Sequence, residues 1–235
     1  MQPLTAQKAD PIASEVFTIL REHRNLQIPV SARRLLELQT AWQVSAFLDR
    51  ALPWQRGHGR RTAALAQCLG LAAGFSRETL HHVTLASLLH DIGLLVSPNR
   101  VPAHGRYLDL ESYVFVQCHP RLGAQWLEAF PFLGRASVII AHHHERWDGS
   151  GYPYGIRGLF IPKEARVLSI ADAFDSMDLP GVSDPKLRDQ MRCRIIKSAG
   201  GTQFDPHLVD LFCNRLRRPI EDSELPTAVG IPCLP

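Results

Sequence analysis

Lysine is nearly missing from this chain: of 26 basic residues only Lys8, Lys163, Lys186 and Lys197 are lysines, so the positive charge is almost all guanidinium. Arginine favours forked contacts to phosphates and carboxylates, although most single arginines are solvated surface. The formal net charge is only +3 and no basic run occurs, which argues against a nucleic-acid tract, and no DNA partner is expected. Cysteine is scarce too. Cys68, Cys118, Cys193, Cys213 and Cys233 are odd in number, scattered and never spaced C-x-x-C, which excludes a disulfide framework and a zinc knuckle and fits a reduced, cytoplasmic compartment. Long apolar runs are also lacking. Nothing approaches the length that spans a bilayer, and Met1 to Asp10 carries no apolar signal core, so a soluble protein with no membrane partner is expected. No internal repeat, low-complexity tract or convincing strand pattern is visible.

What remains is a helix-rich chain of 235 residues with 45% hydrophobic content, long enough to bury a real core. Leu35, Leu38, Trp42 and Ala46 recur at helical spacing between Ser31 and Leu52, with Ser31 as N-cap. Further helices are predicted over Arg60 to Leu69, ending at Gly70, and from the cap Ser76 through the stripe Leu85, Leu88 and Leu89. Pro120 is read as the first residue of a helix reaching Phe130, followed by a helix over Arg135 to His143. Pro162 opens one carrying Val167, Ile170, Ala171 and Phe174, and the last two run from Lys186 to Ser198 and from Pro206 to Arg217, the latter capped by Asp205. Irregular chain concentrates in Ser97 to Asp109 and Asp148 to Ile161, the places where a helical scaffold builds sites. The fold class is therefore all-α, a helical bundle. Residues 1–52 form a helical segment packed on the core, 53–218 the main domain, and 219–235 a proline-rich, loosely ordered tail.

Metal-ligating side chains sit singly or in pairs near the ends of successive predicted helices: His58, His90-Asp91, His119, His143-His144 and Asp172. In a bundle, ligands from several helices can converge on one internal point. A carboxylate has two oxygens and can bridge two cations, while the imidazole beside it binds one, so the His90-Asp91 doublet points to a dimetal centre of the kind that serves phosphoryl displacement. After the run His142-His143-His144 the chain continues through Gly149, Gly151, Tyr152, Pro153, Tyr154 and Gly155, where glycine permits turns and tyrosine offers ring faces and hydroxyls to a nucleotide. Glu145 and Asp148 are candidates to orient ligand imidazoles or to brace this loop, and Asp175, one turn after Asp172, reads as a structural residue.

The ordered text His90-Asp91-Ile92-Gly93, His119-Pro120, His143-His144-Glu145 to Gly151-Tyr152-Pro153, Ala171-Asp172-Ala173-Phe174-Asp175 and Phe204-Asp205-Pro206 resembles the HD-GYP family of metal-dependent phosphohydrolases over roughly residues 56–211. The resemblance implies an HD-domain bundle with two divalent metals, Fe or Mn, inside it and the GYP loop at the pocket edge. His58, His90, Asp91 and Asp172 would hold one metal, and Asp91 would bridge to a second held by His119, His143 and His144. His90 and Asp91 take the catalytic role, while Gly151, Tyr152, Pro153, Arg146 and Arg188 would contact substrate. The implied reaction is hydrolysis of cyclic di-GMP to linear pGpG, or on to GMP, by a metal-bridging hydroxide in line with the departing ribose oxygen. A diguanylate cyclase of the GGDEF class is an implied partner of the GYP loop, and a homodimer stays open. Three positions depart from the family text. Leu94 replaces the lysine after the HDIG motif, Trp54 replaces a third-metal glutamate, and Leu179 to Pro185 replaces an arginine-rich stretch that grips the dinucleotide. With the phosphate grip altered, a receptor or interaction module, or a phosphodiesterase for another cyclic dinucleotide, stands as the alternative.

Overall fold

A computed structural model describes residues 11–22, 29–96 and 110–216. Among them the chain is all α-helical, with a single isolated bridge between Gly200 and Phe204. The helices are α1 (Pro11–Glu22), α2 (Val30–Ala51), α3 (His58–Ala72), α4 (Arg77–Leu89), α5 (Leu110–Leu127), α6 (Gly134–Ala141), α7 (Lys163–Ser176), α8 (Pro185–Ser198) and α9 (Pro206–Arg215). No helix among the described residues is long and apolar enough to cross a membrane.

Helix α4 lies at the centre, against α2, α3, α6 and α7. Leu85, Leu88 and Leu89 are buried on it, each worth about 1.5–3 kcal/mol of transfer free energy. Its polar residues are buried without penalty because Thr84 and Ser87 donate to the carbonyls of Leu80 and Val83. Ser76 caps the helix by accepting from the Thr79 amide, as its place in the sequence predicts. Asp205 likewise caps α9, accepting from the His207 and Leu208 amides, and this buried carboxylate also pairs with the half-buried Arg166 of α7. The Phe204-Asp205-Pro206 text therefore ties α9 to α7.

Several predicted boundaries shift. Ser31 is not a cap: α2 begins at Val30 after Pro29 and has no side-chain cap. Gly70 lies inside α3 instead of ending it, because Leu80 and Phe75 press where its Cβ would stand. Pro162 is the residue before α7 and not its first. Pro120 does not open a helix but sits within α5, which starts ten residues earlier. Helix α6 stops at Ala141, leaving all three adjacent histidines beyond its end. Helix α1, for which the sequence offered no bounds within the helical segment 1–52, lies against α2 with Val16 and Leu20 buried. The predicted loop 97–109 and the tail 219–235 lie outside the described residues.

Candidate functional site

Five helices deliver the seven candidate ligands. His58 is the first residue of α3, His90 and Asp91 follow α4, His119 lies in α5, His143 and His144 follow α6, and Asp172 lies in α7. The structure brings them together. Ligand atoms fall within 4.8 Å of one another in three groups: His119, His143 and His144; His58, His90 and Asp172; and His90, Asp91 and His143. Asp91 spans the two halves: its Oδ2 lies 3.2 Å from His90 Nε2 and 4.0 Å from His58 Nε2, and its Oδ1 lies 3.4 Å from His119 Nε2. Asp172 Oδ1 stands 3.1 Å from His58 Nε2 and 3.7 Å from His90 Nε2.

Backbone packing sets this convergence. A Cβ on Gly93 would stand 2.1 Å from the His119 carbonyl oxygen and 2.8 Å from the Gly123 amide nitrogen. Only glycine lets the turn after Asp91 come so close to α5, and that contact is what carries His119 to Asp91. The glycine of the HDIG text is thus a spacing residue of the site.

The imidazoles are oriented from behind. His90 Nδ1 donates to the Ser87 carbonyl at 2.8 Å, His119 Nδ1 to Val116 at 2.6 Å and His143 Nδ1 to Ile140 at 2.7 Å. His58 opens α3, so no carbonyl of its own helix stands three residues before it, and a side chain takes that place. Its Nδ1 lies 2.7 Å from Asp175 Oδ2, and Arg61 grips Asp175 with Nε at 2.7 Å and Nη2 at 3.0 Å. With Nδ1 bonded to these acceptors each Nε2 is turned toward the cluster, where that of His58 shares its proton with Asp172 in the metal-free protein. His58 Nε2 then faces His90 Nε2 at 3.2 Å, and His119 Nε2 faces His143 Nε2 at 3.4 Å. Nitrogens this close need a proton or a metal cation between them, and a cluster of five imidazoles and two carboxylates without thiolate fits divalent metal ions of the imidazole and carboxylate class.

Electrostatics separate the two halves. Burial lowers the pKa of His58, but hydrogen bonds to Asp172 and Asp175 and the charges of Asp172 and Asp91 outweigh it and push the group up to about 10. Burial, aided by its histidine neighbours, holds His143 well below its ordinary value and His144 down at about 4. For Asp91 and Asp172 burial alone would raise the carboxyl, yet the surrounding histidines keep both well below the usual carboxylate range.

The loop after the histidines folds over one edge of the cluster. Tyr152 stacks on His144 with ring centroids 4.9 Å apart at 25°, and its amide donates to the His144 carbonyl. Burial and the nearby Asp172 charge push the phenol up, so it stays protonated. A Cβ on Gly151 would stand 2.3 Å from the Arg146 amide nitrogen, so this glycine serves close approach, whereas Gly149 and Gly155 adopt positive φ. The Tyr152-Pro153 peptide is cis. Glu145, 3% exposed, accepts from the Tyr154 amide at 2.7 Å and braces the loop. Arg146 turns back within the loop, donating to Ser150 and pairing with Asp148 at 3.6 Å.

Arg188 is employed elsewhere. Its Nε and Nη2 donate to the Val182 carbonyl, Arg192 grips Met177 in the same way, and none of these bonds reaches the histidines. Leu94, where the family text has lysine, is buried in the core. Among the histidines given no ligand role, His81 pairs with Glu37 at 2.7 Å and His142 lies against Tyr154. Sequence reasoning missed Arg61 and the reach of Asp175 to His58. The signal was there: Arg61 follows His58 by one turn, as Asp175 follows Asp172, so each pair shares a helix face.

Comparison with known proteins agrees with this picture. The HD-domain family model matches residues 43–208. A 3'3'-cGAMP-specific phosphodiesterase of Vibrio cholerae is 32% identical over 66% of this chain and 30% of its own length. A cyclic di-GMP phosphodiesterase of Thermotoga maritima is 31% identical over 70% of this chain and 45% of its own. The chain thus spans less than half the length of these relatives. A solved HDG"Y"P protein from Bdellovibrio bacteriovorus shares the fold, with a TM-score of 0.56 at 18% identity, covering 91% of this chain and 75% of the other.

Proposed function

The chain belongs to the HD-domain family, in its HD-GYP branch, and from that premise we propose that it is a dimetal phosphodiesterase opening cyclic di-GMP to linear pGpG. The single observation that supports this most is Asp91, whose two oxygens address opposite halves of the histidine cluster. His58, His90, Asp91 and Asp172 would hold one divalent ion and Asp91, His119, His143 and His144 the other, with Fe or Mn as the metals that suit this thiolate-free set. When bound, such a pair supplies activation of water and stabilisation of charge at phosphorus.

The protein's own contribution is positioning. The Ser87, Val116 and Ile140 carbonyls and the Asp175 carboxylate keep the imidazoles in the Nδ1–H form. Tyr152 covers His144 from the loop side and limits the water that reaches it, and its neutral hydroxyl is available to donate to a phosphate or ribose oxygen. The same loop exposes Tyr154, Leu159 and Phe160, which supports a protein contact there, with a GGDEF diguanylate cyclase as the partner.

A second reading is favoured by one observation. Arg188 and Arg192 of α8, the first guanidinium groups after the segment that replaces the arginine-rich stretch, donate to the Val182 and Met177 carbonyls. The substrate is then another cyclic dinucleotide, 3'3'-cGAMP among them. Incubating metal-loaded protein with cyclic di-GMP, 3'3'-cGAMP and cyclic di-AMP in parallel, and resolving linear products, tests both. Linear pGpG formed fastest supports the first reading, faster turnover of a different dinucleotide supports the second, and no linear product from any of them refutes the enzyme.

A further inference from the structure

His119 differs from its fellow ligands in where it stands. His90 and His143 each follow a helix end, and the carbonyls they use, Ser87 and Ile140, have lost the amide four residues on because Asp91 and His144 lie past the last helical turn, with Ile140 taking only the His143 amide at a long 3.5 Å. His119 instead lies in the body of α5, where every carbonyl is ordinarily taken by the amide four residues on. For Val116 that residue is Pro120, which has no N–H and whose ring pushes the carbonyl out of the ladder. The His119 Nδ1 bond to Val116, at 2.6 Å, occupies the vacated acceptor.

We infer that Pro120 is a positioning residue: by deleting one helical hydrogen bond it turns the Val116 carbonyl into the acceptor that fixes His119 in the Nδ1–H form and aims Nε2 at the cluster. One rule then covers three ligands, each oriented by a carbonyl three residues back that has lost its helical partner, twice by a helix end and once by proline. The consequence for metal rests on the dimetal reading above; the tautomer does not.

The test compares Pro120→Ala with the same position carrying lactic acid, introduced by semisynthesis. The two share a methyl side chain and differ in the backbone N–H. Imidazole nitrogen NMR on the metal-free protein reads the His119 tautomer, and Mn(II) titration reads affinity. In Pro120→Ala, part of the His119 population is expected to move to the Nε2–H form and one of two Mn(II) ions to bind about tenfold more weakly, while the lactic acid variant returns both towards the wild-type values. Unchanged tautomer and Mn(II) affinities in Pro120→Ala overturn the inference. So does a lactic acid variant that matches Pro120→Ala, since lost ring packing then explains the effect. If the wild-type protein takes up no Mn(II), the dimetal reading fails, and the tautomer comparison alone decides the role of Pro120.

Discussion

Replacing Gly93 with alanine places one methyl group between two main-chain segments, and the geometry sets the size of the response. The added Cβ would stand 2.1 Å from the His119 carbonyl oxygen and 2.8 Å from the Gly123 amide nitrogen. Neither obstacle is a side chain that can rotate away, so α5 must retreat from the turn after Asp91 by about 1 Å, the order of shift that forced overpacking demands. Overpacking of this kind costs about 1–3 kcal/mol, and a domain of this size loses about 2–4 °C in Tm for each. The retreat also carries His119 off Asp91 Oδ1, now 3.4 Å from its Nε2, and misplacement by about 1 Å can lower turnover by about a hundredfold. Thermal unfolding monitored by circular dichroism, with metal content measured on the same sample, checks both effects. Gly134→Ala is the control, since nothing stands within 4 Å of its Cβ position at the start of α6. A Gly93→Ala protein with the Tm of the control and a full metal complement would show that the close approach of α5 to the turn after Asp91 does not set the site.

Metal affinity should depend on pH with a sign set by His58. Because its pKa in the metal-free protein is pushed up to about 10, a metal must displace its proton at neutral pH, and Mn(II) should bind about tenfold more tightly at pH 8 than at pH 7 for each proton released. His144, held at about 4, is already deprotonated there and adds no slope, so equal affinities at the two pH values contradict the assignment. Glu145→Ala should leave the Tyr154 amide without its 2.7 Å acceptor, costing about 1–3 kcal/mol in thermal or urea unfolding, whereas Glu145→Gln keeps an acceptor and should recover most of that loss.

The fold class and the cluster were legible in the sequence for different reasons. Helices with a polar cap at one end, such as α4 from Ser76 and α9 from Asp205, announce their starts because the capping side chain is itself the cause. The failures involve residues whose meaning depends on a neighbour elsewhere in the fold. Pro120 reads as a helix start on local chemistry, and only a structure reveals a proline within α5 whose missing N–H is used by His119. Gly70 reads as a stop, yet Leu80 and Phe75 demand its small size inside α3. Ligand types and order carried the site, whereas its bracing by Arg61 and Asp175 across 114 residues of sequence had no local trace beyond one-turn spacings. The substrate contacts were least legible. Arg188 looked available as a charge, and its position in space commits it to the Val182 carbonyl.

Whether one carboxylate joins two metal sites into a single centre is decided by metal content per chain, with phosphodiesterase activity measured on the same samples, in the wild-type protein and in Asp91→Ala. A bridging Asp91 requires two divalent ions per wild-type chain, with both the metal pair and the activity lost together in Asp91→Ala. A wild-type protein that holds fewer than two, or an Asp91→Ala protein that keeps both and still turns over a cyclic dinucleotide, contradicts it.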